Sequence, residues 1–169
     1  MESLSKIKTR TMFFIAAALF FALPSANEAE DKADKPKPEV RDKIEWFSHE
    51  QGLDHSRETG RVALVYFFGD HCRYCEVMEK TEFSKTDFIE YINEHFVPVK
   101  VHFQKEPELV KAYKLFAPPA LYFVDSEGKA VFYALGYLKP DKMMQVLKYV
   151  GEGHYKAKSF DEYQKEKTK

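Results

Sequence analysis

An unbroken apolar run, Val62-Ala63-Leu64-Val65-Tyr66-Phe67-Phe68, ends at Gly69 and is followed by Cys72 and Cys75, spaced C-x-x-C and the two cysteines of a 169-residue chain. β-Branched and aromatic residues without polar interruption predict a strand buried on both faces, the kind found in parallel or mixed sheets covered by helices. A helix starting at the cysteine motif and running to Thr81 or Glu82 would put the first thiol at a helix N-terminus. Unpaired N–H groups and the helix dipole there stabilise a thiolate, lowering a thiol pKa from ~8.5 to between ~3.5 and ~7.5. Cys72 is then an exposed nucleophile. Cys75, one helical turn on, is placed to attack a mixed disulfide and release the product.

Other uses of the pair fit less well. Structural zinc needs four ligands, but there is no second cysteine pair, and His95 and His102 are spaced wider than a finger's histidines. No metal is expected. Covalent haem attachment wants histidine directly after the second cysteine, where this chain has Glu76. A plain structural disulfide would close a tiny loop and constrain the unfolded chain weakly. His49, His55 and His154 show no ligand pattern.

Elsewhere the pattern alternates helices and strands. Val40, Ile44 and Phe47, with Trp46 alongside, predict a helix from Glu39 to about Glu50, started by Pro38 and ended by Gly52. Leu53 to Gly60 reads as a polar connection or a loose extra helical turn. After a break at Ser84 to Asp87, a helix runs to His95 and a strand covers Val97 to Phe103. Pro107 opens a helix with Leu109, Val110, Tyr113, Leu115 and Phe116 on or near its buried face, and Pro118-Pro119 closes it. Ala120–Val124 and Ala130–Leu135 flank a tight turn and form a hairpin; Lys139-Pro140-Asp141 starts a helix reaching Val150, and a short one covers Phe160 to Tyr163. The order is that of an α/β domain, with Phe67, Phe68, Phe103, Phe116, Tyr122 and Phe123 expected in its core.

The N-terminus differs. Lys6, Lys8 and Arg10 precede an apolar run from Met12 to Leu23, the layout of a secretory signal peptide and too short for a comfortable membrane span. We expect a signal segment at 1–26, with an uncleaved anchor as the alternative, since cleavage after Ala26 would put Pro24 at the minus-three position. Residues 27–38, nearly all charged residues, Ala and Pro, read as a flexible leader, and 39–169 as one domain. A hydrophobic content of 44% suffices for one core, and a net charge of -1 offers no field for nucleic acid. A monomer is expected.

From Glu39 to Val150 the chain resembles the thioredoxin superfamily, by element order, by C-x-x-C after the central strand and by a proline before a later strand. Closest among the types we can name are bacterial exported thioredoxin-like proteins of the SoxW type. That likeness is carried by Cys72-Arg73-Tyr74-Cys75 with Met78-Glu79 behind, Asp125-Ser126-Glu127-Gly128-Lys129, Gly136-Tyr137-Leu138-Lys139-Pro140 and the tail from Tyr155 to Tyr163. The C-terminal domain of DsbD-type reductases is similar over a shorter span. The resemblance implies a thioredoxin fold, a central mixed β-sheet flanked by helices, and dithiol–disulfide exchange without a bound cofactor.

It also implies a cis-proline facing the cysteines, here Pro119, whose preceding residue pairs with the substrate backbone. Pro118 stands where Ile, Val or Thr is usual, and proline lacks the N–H for one of the two expected hydrogen bonds. Tyr66 replaces the buried Asp that thioredoxin proper carries six residues before its first cysteine; a phenol is far less suited as a base near neutral pH. Glu79, four residues past Cys75, could substitute, as a carboxylate does in the DsbD-type domain; a solvated helix charge is the alternative. His71 replaces the common Trp and, protonated, would stabilise the Cys72 thiolate, unless simply exposed. Tyr74 is assigned to the active-site rim, and Arg73 adds positive charge.

Together these features lead us to expect an exported, periplasmic oxidoreductase that reduces disulfides in partner proteins and is recharged by a membrane electron donor of the DsbD or CcdA type. The alternatives are a disulfide oxidase or isomerase, and a non-catalytic thioredoxin-like binding module.

Overall fold

The computed structural model describes residues 43–167. The signal segment, the leader and the beginning of the helix expected from Glu39 lie outside these residues. No described helix is long and apolar enough to cross a membrane.

The elements run α1 (His49–Thr59), β1 (Val62–Phe68), α2 (Arg73–Thr81), α3 (Thr86–His95), β2 (Phe96–His102), α4 (Pro107–Ala112), β3 (Ala120–Val124), β4 (Ala130–Leu135), α5 (Pro140–Gly151) and α6 (Phe160–Lys167), with a 3₁₀ turn at His154–Lys156. The strands form one mixed sheet in the order β2-β1-β3-β4. β1 is parallel to β2 and antiparallel to β3, and β3–β4 is the expected hairpin.

β1 is the central strand. Its alternate side chains supply two cores: Leu64 and Tyr66 join Cys75, Met78, Ile92 and Leu147 on one face. Ala63, Val65 and Phe67 join Val99, Val101 and Val110 on the other. That two-sided burial is why the run contains no polar residue.

The first predicted helix is corrected. Residues 43–48 are an extended strap, not helix: Phe47 bridges Val99 in parallel, donating to Pro98 O at 2.9 Å and accepting from Lys100 N at 3.1 Å. Pro98 thus turns its outer side to the strap, where a missing N–H leaves the β1–β2 ladder intact. The helix begins one residue past Ser48, whose hydroxyl caps Gln51 N, and it runs through Gly52 to Gly60, covering the predicted connection. Gly52 is a packing residue, not a stop: a Cβ there would lie 2.2 Å from Val99 Cγ2. Gly60 is the terminator, with φ 70°.

Phe116 is the second correction. It is 94% exposed, not core, because α4 ends at Ala112 and Lys114 takes a left-handed φ of 54°, which turns the chain away before Phe116. Phe68, Phe103 and Tyr122 are half-buried against the cores; Phe67 and Phe123 are fully buried.

Candidate active site

The site is built where β1 ends. Gly69 is closely packed: a Cβ there would meet Gln104 Oε1 at 2.7 Å and Pro118 Cγ at 3.2 Å. The next residue is pinned by β2 and its following turn: Asp70 N donates to Gln104 Oε1 at 3.0 Å, and the Asp70 carboxylate lies 3.2 Å from His102 Nε2. His71, exposed and with φ 55°, reverses the chain into α2. Arg73, exposed, is the first helical residue.

Cys72 is the N-cap of α2, its Sγ accepting from Cys75 N at 3.2 Å. Side-chain oxygens usually do this work; a sulfur here places its electron density among the unpaired N–H groups of the first turn. The two cysteines form a disulfide, S–S 2.04 Å. They are not equivalent: Cys72 is partly exposed, whereas Cys75 is 3% exposed and belongs to the core.

Pro118 packs against the Gly69 turn, and the Pro118–Pro119 peptide bond is cis. Pro119 is buried, and its carbonyl accepts from Gly136 N at 2.8 Å, joining this loop to the end of the hairpin. Tyr74, 57% exposed, stacks on Tyr137 at 5.4 Å with the rings 13° from parallel. Three segments are thereby joined: the cysteine turn meets the proline loop at Gly69 and the Gly136-Tyr137 corner at Tyr74, and that corner bonds Pro119.

Tyr66 lies deep in the core, and among the described residues its hydroxyl has no hydrogen-bond partner. Desolvation, with smaller contributions from the charges of Glu79 and Glu82, pushes its phenol far above the ordinary value. It therefore stays protonated at any working pH and is no base. Glu79 is half-exposed and pairs with Lys100 at 2.9 Å; the ammonium sits 4.2 Å from the Phe68 ring centre and 5.9 Å from that of Tyr66.

One charged residue that sequence reasoning passed over is placed here. Glu82 is 0% exposed, with Thr81 Oγ1 on one carboxylate oxygen and Tyr137 Oη 3.4 Å from the other. The signal was present: Cys75, Met78 and Glu82 fall on one face of an amphipathic helix. Tyr137 was legible only as part of a family motif. Among the described residues no cluster of His, Cys, Asp and Glu could hold a metal ion.

Comparison with known proteins agrees with this geometry. A family model described as a thioredoxin-like domain matches residues 49–151. A disulfide bond reductase, DsbH, of Chlamydia pneumoniae is 27% identical over 111 residues, covering 59% of this chain and 67% of the relative. Among solved structures, a DsbH oxidoreductase superposes with a TM-score of 0.61 at 23% identity, over 73% of this chain and 94% of its own. The C-terminal domain of Neisseria meningitidis DsbD in its reduced form gives 0.51 at 22%, over 59% and 90%.

Proposed function

The chain belongs to the thioredoxin-like domain family, and from that premise we propose that this thiol–disulfide oxidoreductase is an exported reductase of disulfides in periplasmic proteins. The observation that carries the chemistry is the asymmetry of the pair: one cysteine partly exposed with its sulfur capping α2, the other buried in the core. The Cys72 thiolate attacks a substrate disulfide, forming a mixed disulfide and expelling one substrate thiolate, which takes up a proton. The Cys75 thiolate then attacks Cys72 Sγ, closing the intramolecular disulfide and freeing the second substrate thiolate. Two electrons pass to the substrate, and the oxidised end state is the one seen here. Glu79, one turn beyond Cys75, is the proposed acceptor of the Cys75 proton.

The pairing of Pro118 with the substrate backbone through its carbonyl, and the contributions of His71 and Arg73 to thiolate stability, are part of the same reading. Reduction as the direction is supported by the disulfide bond reductase among the relatives, and export by the charged and apolar pattern of the first 26 residues. A reductase in an oxidising compartment must be recharged, which calls for a membrane dithiol donor of the DsbD or CcdA kind.

The deciding experiment equilibrates the full-length protein with glutathione buffers and quantifies the Cys72–Cys75 disulfide after acid quenching. A potential toward that of thioredoxin, about -270 mV, is expected; one near that of DsbA, about -120 mV, would reverse the direction.

A further inference from the structure

A fully buried carboxyl group is expensive unless its oxygens find partners, and those of Glu82 face two hydroxyls. Among the described residues the Thr81 hydroxyl lies on one oxygen and the Tyr137 hydroxyl 3.4 Å from the other, while the Lys100 ammonium pairs with Glu79. Thr81 is its neighbour on the helix. Tyr137 is not: it comes from 55 positions along the chain, and it is tied to the other two walls of the site. Its ring lies on that of Tyr74, inside the C-x-x-C turn, and the residue before it donates to the carbonyl of Pro119. Burial, followed by the charge of Glu82 and the hydrogen bond to it, holds the Tyr137 phenol above its ordinary value, so the hydroxyl remains the donor.

We infer that Glu82 is a positioning residue: by fixing the Tyr137 hydroxyl it holds the stacked Tyr74 ring as one wall beside Cys72, and so sets how well polypeptide disulfides reach that sulfur. Two stacked rings alone can slide and tilt past one another. Pinning the far end of one ring by its hydroxyl removes that freedom, and the other ring inherits the order. A small disulfide reaches an exposed sulfur without using the wall; a polypeptide must lay its backbone and side chains against it. The inference rests on the reading that polypeptide disulfides are the substrates.

The test compares insulin with glutathione disulfide as substrates of the full-length protein, with dithiothreitol as the recharging thiol. Tyr137→Phe and Glu82→Leu should raise KM for insulin by about three- to tenfold, while kcat and the glutathione disulfide rate stay within about twofold. Glu82→Gln, whose amide oxygen still accepts, should restore the wild-type KM. Tyr137→Phe added to Tyr74→Ala should change nothing further. Should Glu82→Leu not fold, Tyr137→Phe and Glu82→Gln carry the comparison. Equal losses with both substrates, a Glu82→Gln enzyme as impaired as Tyr137→Phe, or additive effects of the Tyr74 and Tyr137 changes would each overturn the inference. Wild-type protein inactive on insulin would overturn the substrate reading along with it; active wild type with an unchanged Tyr137→Phe KM would overturn this inference alone.

Discussion

The backbone N–H of Cys75 donates to Cys72 Sγ at 3.2 Å, so the outward sulfur caps the helix to which the inward sulfur belongs. On the proposed mechanism the same cap favours Cys72 as the attacking thiolate of the reduced protein. Acid-quenched alkylation followed by mass spectrometry should show Cys72 reacting at pH 6 at least about tenfold faster than Cys75. Cys75→Ser should accumulate mixed disulfides with partner proteins, and Cys72→Ser should accumulate none. Equal alkylation of the two thiols would argue against catalysis.

Pro118 offers a carbonyl but no N–H to a substrate strand. Replacing it with Thr supplies the donor, and in the Cys75→Ser background the yield of trapped partners should rise about two- to tenfold, a hydrogen bond's worth of affinity. Unchanged trapping would show that the missing donor is irrelevant.

The Tyr66 hydroxyl is buried without a partner among the described residues. Its removal in Tyr66→Phe should leave unfolding free energy in urea unchanged or raised by up to about 1 kcal/mol. Because burial keeps the phenol protonated, the pH profile of disulfide reduction should not move. A shifted profile would mean that the hydroxyl carries protons after all.

Gly52→Ala sets two effects against each other. Alanine favours a helix over glycine by about 1 kcal/mol, but overpacking a core costs about 1–3 kcal/mol. With the new Cβ 2.2 Å from Val99 Cγ2 and 3.3 Å from Phe47 Cβ, overpacking wins. The urea midpoint should fall, and Val99→Ala combined with it should recover part of the loss. A stabilised single variant would contradict the packing.

His49 contacts Tyr113 Oη through Nε2 at 2.9 Å. Burial lowers its pKa below 6.5, opposed by the charge of Glu106. The unfolded chain therefore binds a proton at a higher pH than the folded one. The stability linked to this group is complete above about pH 6.5 and is lost as the pH falls through the lower folded value. Unfolding free energies between pH 7 and 5 should decline more steeply for wild type than for His49→Gln, by at most one proton's linkage. Parallel slopes would place the acid sensitivity elsewhere.

Much of this site could be read from the chain because its signals are local. The seven apolar residues of β1 declare two-sided burial, Gly69 ends them, and the spacing of Cys72 and Cys75 fits one helical turn. The cis bond before Pro119 came from the family resemblance. What escaped depends on distant partners. Val40, Ile44 and Phe47 have helical spacing, yet Phe47 pairs with a strand that starts at Phe96, and no local period carries that information. Gly52 reads as a stop until Val99 is known to press on it. A charge near a helix end, such as Glu82, reads as solvated until Tyr137 covers it. Phe116 misled in the opposite direction: an aromatic at helical spacing from Ala112 belongs to the core only if the helix continues, and it does not.

The bridge at Phe47 has a meaning for the chain among its neighbours in a crowded compartment. An open strand edge is a template on which other polypeptides can pair. By taking the carbonyl of Pro98 and the N–H of Lys100, six residues of strap convert the outer side of β2 from a template into a finished border.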